Sequence, residues 1–189
     1  MCGRYALYDI SKLDFKIGNN IMAVSYNIAP SSIVPVVTEN SEITLIKWTL
    51  RIPWSEKLRI VNARSETLET NPTFRNTKRC IFIANGYFEW LKRGGRKIPY
   101  YYTFDDRMMY FGGLFNDYGA CIVTRQSYST MAGGHHRQPV ILRYQDFDSW
   151  FNSTHDYACE HSSDMDIFEV SIKVNSPKNN YPENITRVL

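Results

Sequence analysis

A cysteine at position 2 gives this chain a reactive pair of groups once the initiator methionine is removed, which a side chain this small normally permits. The new α-amine has a reference pKa near ~7.7–8.0 and the thiol one near ~8.5, so both are partly nucleophilic at neutral pH. Such a 1,2-aminothiol can condense with an aldehyde to an imine, which the sulfur then closes into a five-membered thiazolidine. An amide or thioester carbonyl would instead be attacked by the sulfur of Cys2 alone, as in N-terminal-nucleophile hydrolases.

Three further side chains could transfer protons or hold an intermediate, and each lies where a predicted strand gives way to a turn. Glu89 stands between Phe88 and Trp90, an aromatic setting that should raise the pKa of its carboxyl and suit it to general acid and base catalysis. His135 is the second natural proton carrier. Asn62 offers an amide that can hold an oxygen or an amine without titrating.

Arginines accompany these candidates along the chain. Arg4 follows Cys2, Arg64 follows Asn62, and Arg137 follows His135, each at a distance of two residues. We therefore expect the three guanidinium groups to face the same pocket. Because the planar guanidinium fork matches a phosphate bidentately, they are candidates for nucleic-acid contacts.

The composition is that of a globular domain with much β-structure. The chain has 189 residues, of which 43% are hydrophobic, 22% charged and 14% aromatic, with a net charge of +3. Its four cysteines are widely spaced and form no C-x-x-C pair, so we expect no disulfide framework and a reduced, cytoplasmic protein. No signal peptide and no run of ~20 apolar residues is evident, so we expect no membrane association.

Hydrophobic alternation and β-branched runs predict strands at residues 4–10, 33–38, 42–50, 80–84, 87–90, 100–104, 110–114, 120–124 and 168–174. Ser11 is expected to cap a weakly helical segment over 11–18, residues 65–69 look like a helix start, and residues 146–151 are expected to form a short helix. Asn85-Gly86 is a turn signal, and residues 92–97 are predicted to form a basic hairpin tip. We predict a single α+β domain of mainly antiparallel strands curled into a barrel-like core, with few short helices. It would span residues 1–176 and end in a loosely ordered polar tail over 177–189.

Six ordered blocks resemble the SOS-response-associated peptidase (SRAP) domain family. They are MCGRY at 1–5, YNIAP at 26–30, NARSET at 62–67, RC at 79–80, GYFEW at 86–90 and HHRQP at 135–139. The resemblance extends over residues 2–176. One departure is Gln138, which stands where the family's His-x-Arg-Met-Pro block has methionine.

The resemblance implies a sensor of abasic sites in single-stranded DNA that forms a covalent thiazolidine crosslink through Cys2 and so shields the lesion. It implies Cys2 as the nucleophile, with Asn62, Glu89 and His135 around it. It also implies that Arg4, Arg64 and Arg137 line the DNA cleft, and that an apolar wedge packs against the flanking bases, at Pro30 and Trp54. Considered alone, Trp54 could equally be a core residue. On this interpretation the protein is a monomer without a cofactor or metal, at the nucleoid or in the nucleus according to its source.

Three other interpretations of the sequence stay open at this point. The same active site could serve an N-terminal-cysteine peptidase, including one that removes its own leader. If Met1 is retained, no thiazolidine can form and the protein would be a non-covalent single-stranded-DNA-binding module. A metal site is the third alternative, although the spacing of its ligands is unusual for zinc and a fourth ligand is not obvious; it would use His155, Cys159 and His161.

Overall fold

Antiparallel β-strands build most of the molecule. The computed structural model describes residues 2–15, 25–127, 135–158, 161 and 164–188. Over these residues one α-helix forms, α1 at Phe147–Phe151. The strands are β1 Tyr5–Leu7, β2 Ser25–Ile28, β3 Ile33–Val37, β4 Ile43–Lys47, β5 Leu50–Ile52, β6 Ser55–Ile60, β7 Asn62–Arg64, β8 Lys78–Ala84, β9 Gly86–Arg93, β10 Arg96–Thr103, β11 Met109–Asn116, β12 Gly119–Gln126, β13 Arg137–Pro139, β14 Ile141–Leu142 and β15 Asp166–Glu169.

The strands form two large sheets and a separate hairpin. The first sheet has the order β15-β10-β9-β1-β2, and the second has the order β13-β12-β11-β8-β3-β4. Two short strands extend the second sheet, because β14 pairs with β11 and β7 pairs in parallel with β12. The third sheet is the β5–β6 hairpin. The domain is therefore a mainly antiparallel α+β fold. None of the sheets closes on itself over the described residues, so a barrel-like core stays a prediction.

The basic hairpin tip expected at residues 92–97 is confirmed. β9 and β10 pair from Arg93 opposite Arg96 onward, which leaves Gly94 and Gly95 as the two-residue loop. Their φ angles are 56° and 78°, the pair of positive values that a type I′ turn needs. Glycine adopts such values without steric cost, so the sequence signal and the turn agree.

Asn85 connects the two large sheets instead of turning a hairpin. It lies between β8, in the second sheet, and β9, in the first. Its side-chain oxygen accepts hydrogen bonds from the backbone of Tyr8 and Asp9 at 2.7 and 3.0 Å, and its amide donates to the Asp9 carbonyl at 2.8 Å. The turn signal at Asn85-Gly86 thus corresponds to a bend between β8 and β9, which these bonds to residues 76 and 77 positions away in sequence hold as a corner between the sheets.

Aromatic side chains fill the interior around Tyr5. Its ring lies 5.1 Å from that of Trp48, and it meets Phe82 and Phe111 edge to face at 6.5 and 6.1 Å. These contacts join β1 of the first sheet to β8 and β11 of the second. The helix α1 adds Trp150, whose indole donates to the Cys80 carbonyl at 2.9 Å. This interior supports the start of β1, which Cys2 precedes, and the middle of β9, where Glu89 lies rather than at the strand end expected from the sequence.

Two terminal predictions differ from the structure. The last strand ends at Glu169, and a short 3₁₀ helix at Ile172–Asn175 replaces the predicted extension to residue 174. The tail was expected to be loosely ordered, yet Pro182–Ile185 forms a 3₁₀ helix in which Asn184 is buried. Arg187 pairs with Val170. The domain boundary at residue 176 stays a prediction.

Of the three helical segments predicted from the sequence, one is confirmed as an α-helix. The helix start at 65–69 is a single 3₁₀ turn at Ser65–Thr67, and the helix at 146–151 is confirmed as α1. Residues 11–15 form turns and bends, and the remainder of the helix predicted over 11–18 lies outside the described residues. Over the described residues, no helix is long and apolar enough to cross a membrane.

Candidate active site and nucleic-acid interface

Cys2 lies in the interior, directly before β1. The pairing of β1 with β9 places Tyr5 opposite Tyr87, and the Phe88 backbone donates to the Arg4 carbonyl at 2.9 Å. Cys2 is therefore held beside the strand that carries Glu89. Its thiol is completely buried, and it faces the Arg4 carbonyl at a long 4.0 Å.

Asn62 contacts Cys2 from the second sheet. β7 runs parallel to β12 with Asn62 opposite Ile122, and this pairing sets the side chain beside the N-terminal segment. The Asn62 amide donates to the Cys2 carbonyl at 2.9 Å. Its side-chain oxygen is buried and accepts no hydrogen bond from the described residues. The Asn62 side-chain oxygen can therefore accept a hydrogen bond from a group close to the backbone of Cys2.

The charge of Glu89 affects the protonation of Cys2. Glu89 is only 4% exposed, and burial raises the pKa of its carboxyl. Burial also raises the pKa of the Cys2 thiol, and the nearby charge of Glu89 raises it further. Two anions in this dry space would repel each other, so the pair favours at most one negative charge. This is the arrangement in which a carboxylate can accept the proton of a thiol.

His135 and Glu89 line one small pocket. Burial lowers the pKa of His135, so the neutral imidazole dominates at neutral pH. Its Nδ1 accepts a hydrogen bond from the Arg137 backbone at 3.1 Å, which puts the proton of the neutral ring on Nε2. The Ser127 hydroxyl donates to the His135 carbonyl at 2.7 Å. The pocket is lined by Tyr87, Glu89, Tyr102, Ser127, His135, Arg137 and Gln138.

The three candidate arginines have different surroundings. Arg64 is exposed. Arg4 is half-buried, and its Nη1 donates to Asn27 Oδ1 at 2.6 Å and to the Val174 carbonyl at 2.9 Å. Arg137 is 8% exposed and forms a bidentate ion pair with Glu66 at 2.7 and 2.9 Å. A phosphate can reach Arg64 as the protein stands, whereas a contact with Arg137 would require the ion pair to open.

The candidate wedge residues lie at turns. Trp54 occupies the turn between β5 and β6 and is 59% exposed, so it is not a core residue. The tryptophan of the core is Trp48, whose ring packs on Tyr5. Pro30 is half-buried in the turn that follows β2, and the next residue, Ser31, has a φ of 76°.

Two further side chains at this site, Tyr102 and Glu66, were not indicated by any sequence pattern. Tyr102 lines the pocket, and burial together with the charge of Glu89 raises its pKa to about 12, so it stays a hydroxyl donor. Glu66 lies in the NARSET block but was not singled out, because its partner Arg137 is 71 residues away. Tyr102 pairs with Tyr87 across β9 and β10, so its place in the pocket follows from the strand register, which the sequence patterns do not give.

The histidines of the alternative metal site have other neighbours. His161 Nε2 lies 2.8 Å from Asp146 Oδ2, and His155 Nδ1 lies 3.4 Å from the Ser149 hydroxyl. Cys159 lies outside the described residues. Within the part of the chain that the structure describes, no three histidine, cysteine or acidic side chains are grouped as metal ligands would be.

Comparison with known proteins gives consistent matches over the whole chain. Residues 1–177 match the family described as SOS response associated peptidase (SRAP). The abasic site processing proteins YoqW and YoaM of Bacillus subtilis (strain 168) are 33% and 32% identical over 219 residues; each alignment covers 97% of this chain and, respectively, 98% and 96% of the relative. A solved protein from Bacteroides thetaiotaomicron superimposes with a TM-score of 0.73 at 25% identity, covering 87% of this chain and 86% of its own.

Proposed function

Because the chain belongs to the SOS response associated peptidase family, we propose that it captures abasic sites in single-stranded DNA through a covalent bond to Cys2. The relatives YoqW and YoaM are named abasic site processing proteins, which supports the abasic sugar as the substrate. The observation that carries the proposal is that two of the other candidate residues, Asn62 and Glu89, both act on Cys2. Asn62 binds its carbonyl at 2.9 Å, and the charge of Glu89 acts on its thiol.

The reaction joins the open aldehyde form of the abasic sugar to the 1,2-aminothiol of Cys2. The α-amine adds to the aldehyde carbon, and the resulting carbinolamine loses water to give an imine. Glu89 protonates the departing hydroxyl, which leaves the imine protonated. The sulfur of Cys2 then adds to the imine carbon as its own proton passes to the Glu89 carboxylate, which closes the thiazolidine and restores Glu89. One water is released overall and no oxidant or cofactor takes part.

Each proposed catalytic residue has a task that its surroundings support. Glu89, with a raised pKa, donates a proton to the departing water and accepts the proton of the buried thiol. His135 Nε2 carries the proton of the neutral ring and protonates the sugar oxygen as the closed hemiacetal opens. The side-chain oxygen of Asn62, which accepts no hydrogen bond from the described residues, accepts one from the α-amine and so directs the nitrogen lone pair of that amine at the aldehyde.

Single-stranded DNA fits this site better than duplex DNA does. The thiol of Cys2 is completely buried, so the sugar must leave the base stack to reach it. In a single strand this costs less free energy, because no base pair has to be broken. We propose that Arg64 and Arg4 attract the flanking phosphates and that Trp54 and Pro30 pack against the flanking bases. All of these residues come from one chain, so a monomer suffices. A DNA substrate places the protein at the nucleoid or in the nucleus.

A denaturing gel tests the proposal with single-stranded DNA that carries one abasic site, beside the undamaged strand. Intact mass first confirms that the protein begins at Cys2. We expect a band that survives boiling, requires the lesion and disappears in Cys2→Ala. Cys121→Ala, which removes a buried cysteine outside the site, is the matched control and should crosslink normally. No such band from protein that begins at Cys2 would overturn covalent capture and leave non-covalent binding.

A further inference from the structure

Each of the three side-chain nitrogens of Arg137 donates a hydrogen bond within the protein. Nη1 and Nη2 donate to the two carboxylate oxygens of Glu66 at 2.7 and 2.9 Å. Nη2 also donates to the Thr124 carbonyl at 2.6 Å, and Nε lies 3.3 Å from the Thr124 hydroxyl. Because the Glu66 carboxylate and Thr124 both bond to the planar guanidinium, its orientation is fixed. Arg137 is therefore a rigid part of the second sheet.

The ion pair joins two segments that are distant in sequence. Glu66 lies in the 3₁₀ turn directly after β7, the strand that begins at Asn62. Arg137 begins β13, two residues after His135. Between them, Thr124 on β12 donates its hydroxyl to the Ala63 carbonyl at 3.1 Å. One connected set of bonds thus holds the Asn62 strand against the segment that carries His135.

The backbone of Arg137 completes the connection. Its N–H donates to Nδ1 of His135 at 3.1 Å, so the position of Arg137 decides which ring nitrogen of His135 carries the proton. We propose that Glu66 is a positioning residue: through its ion pair with Arg137, it holds His135 in the Nε2–H tautomer and at a fixed distance from Asn62. This inference rests on the proposed function for the reaction in which His135 takes part.

A phosphate-binding role for Arg137 fits these contacts less well. Arg137 is 8% exposed, and breaking its pair would leave a buried guanidinium without its counter-charge. The Arg137 hydrogen bonds lower the pKa of Glu66 to about 2, so the carboxylate is ionised at every pH at which the protein would act. An ion pair that is always formed suits a support better than it suits a contact that DNA must displace.

The first test compares Glu66→Gln with a matched ion-pair variant. Glu69 lies three residues further on and pairs with Arg79 at 3.2 Å, so Glu69→Gln removes a similar charge from the same segment. We expect Glu66→Gln to slow crosslink formation or reversal by about 10- to 100-fold, the penalty of a misplaced catalytic group. Glu69→Gln should react as the wild type does. Glu66→Asp, which keeps the charge, should show an intermediate loss and guards against misfolding of the first variant.

A double-mutant cycle separates positioning from general destabilisation. If Glu66 acts through His135, Glu66→Gln should change the rate less than twofold in a His135→Ala background. An equal loss in both backgrounds would overturn the inference, because the effect would not pass through His135. DNA binding that tightens in Glu66→Gln well beyond any gain in Glu69→Gln would also overturn it, since Glu66 would then be competing with phosphate for Arg137.

The second test needs no DNA. The ¹⁵N shifts of the His135 ring, assigned by comparison with His135→Ala, report which nitrogen is protonated. We expect the Nε2–H tautomer in the wild type and in Glu69→Gln, and a mixture of tautomers in Glu66→Gln. An unchanged tautomer in Glu66→Gln would overturn the inference even if the wild type crosslinks. Conversely, a protein that fails to crosslink but shows the tautomer change would overturn the proposed function alone.

Discussion

Cys2 and Glu89 illustrate how burial and a neighbouring charge together keep a thiol protonated. In water the thiol and the carboxyl would ionise independently, but here burial raises the pKa of both, and the charge of Glu89 raises that of Cys2 further. A permanent thiolate is therefore unfavourable. The thiol must instead pass its proton on as the carbon–sulfur bond forms, and Glu89 is the neighbouring group able to accept it.

The first prediction concerns Glu89→Gln. The amide keeps the shape of the carboxyl but cannot transfer a proton, so crosslink formation or reversal should slow by about 10²-fold or more while DNA affinity stays within twofold. Single-turnover gels and equilibrium binding measure the two effects. Glu169→Gln is the control, since Glu89 and Glu169 flank Tyr100 on opposite sides in the same sheet. Unchanged rates in both directions would remove Glu89 from the mechanism.

Glu89→Gln should also change how the stability of the protein depends on pH. Because the folded-state pKa of Glu89 is raised, the folded protein binds more protons than the unfolded chain between pH 4.5 and that raised pKa. Its contribution to stability is therefore lost as the pH rises through this window. Glu89→Gln should thus gain stability relative to the wild type between acid and neutral pH, as thermal unfolding at several pH values would show. An equal pH dependence in both proteins would contradict the burial argument.

Strands and turns show how far local sequence signals reach. The run at 33–38, the apolar segments at 80–84, 110–114 and 120–124, and the glycine turn of the basic hairpin all became the predicted elements, because alternation and turn chemistry are local. Local signals could not show that Asn85 would bond to Asp9 across the sheets. Nor could they show that the last strand would end at Glu169, where the chain turns into a 3₁₀ helix.

The candidate site also has one part that the sequence indicated and one part that it could not. Residue type and neighbours indicated Cys2, Asn62, Glu89 and His135. In the structure Asn62 bonds to Cys2, the charge of Glu89 acts on Cys2, and His135 lines a pocket together with Glu89. The surroundings of the arginines could not be predicted, because the partner of Arg137 is Glu66, 71 residues away. Long-range pairing decides whether an arginine faces solvent or a carboxylate, and no motif encodes it.

The second prediction concerns the β5–β6 turn. Trp54 is 59% exposed, so Trp54→Ala should leave thermal stability almost unchanged. It should weaken binding to abasic single-stranded DNA by about 1–3 kcal/mol for each base that stacks on the ring, as fluorescence titration would measure. Tyr144→Ala removes an aromatic ring of similar exposure, 53%, and is the control. Equal affinities for both variants would show that Trp54 does not touch the bases.

At the scale of the whole molecule, the interior between the two large sheets holds cysteine and tyrosine groups that resist ionisation. Cys2, Cys80 and Cys121 are all buried, and burial raises the pKa of each thiol, that of Cys121 to about 12. Burial likewise raises the pKa of Tyr5 in this interior, and that of Tyr101 in a second buried cluster with Ala6, Phe88 and Val170. Unfolding exposes these groups to water, where they ionise at ordinary values.

The third prediction follows from this interior. Above about pH 9 the unfolded chain loses thiol protons that the folded protein keeps, so stability must fall as the pH rises. Each such group lowers the free energy of unfolding by up to about 1.4 kcal/mol per pH unit. Chemical denaturation at pH 7 to 10.5 should show this decline, and Cys121→Ala should reduce its slope. A flat profile would mean that the thiols are not buried as described.

The central claim is that Cys2 itself carries the lesion, and mass spectrometry of the trimmed crosslink tests it most directly. After nuclease and protease digestion, we expect an N-terminal peptide that begins at Cys2, with the mass of peptide plus sugar phosphate minus one water. This adduct should resist borohydride, because a thiazolidine has no imine to reduce. An adduct on a lysine, or a modified peptide that still begins with Met1, would contradict the account.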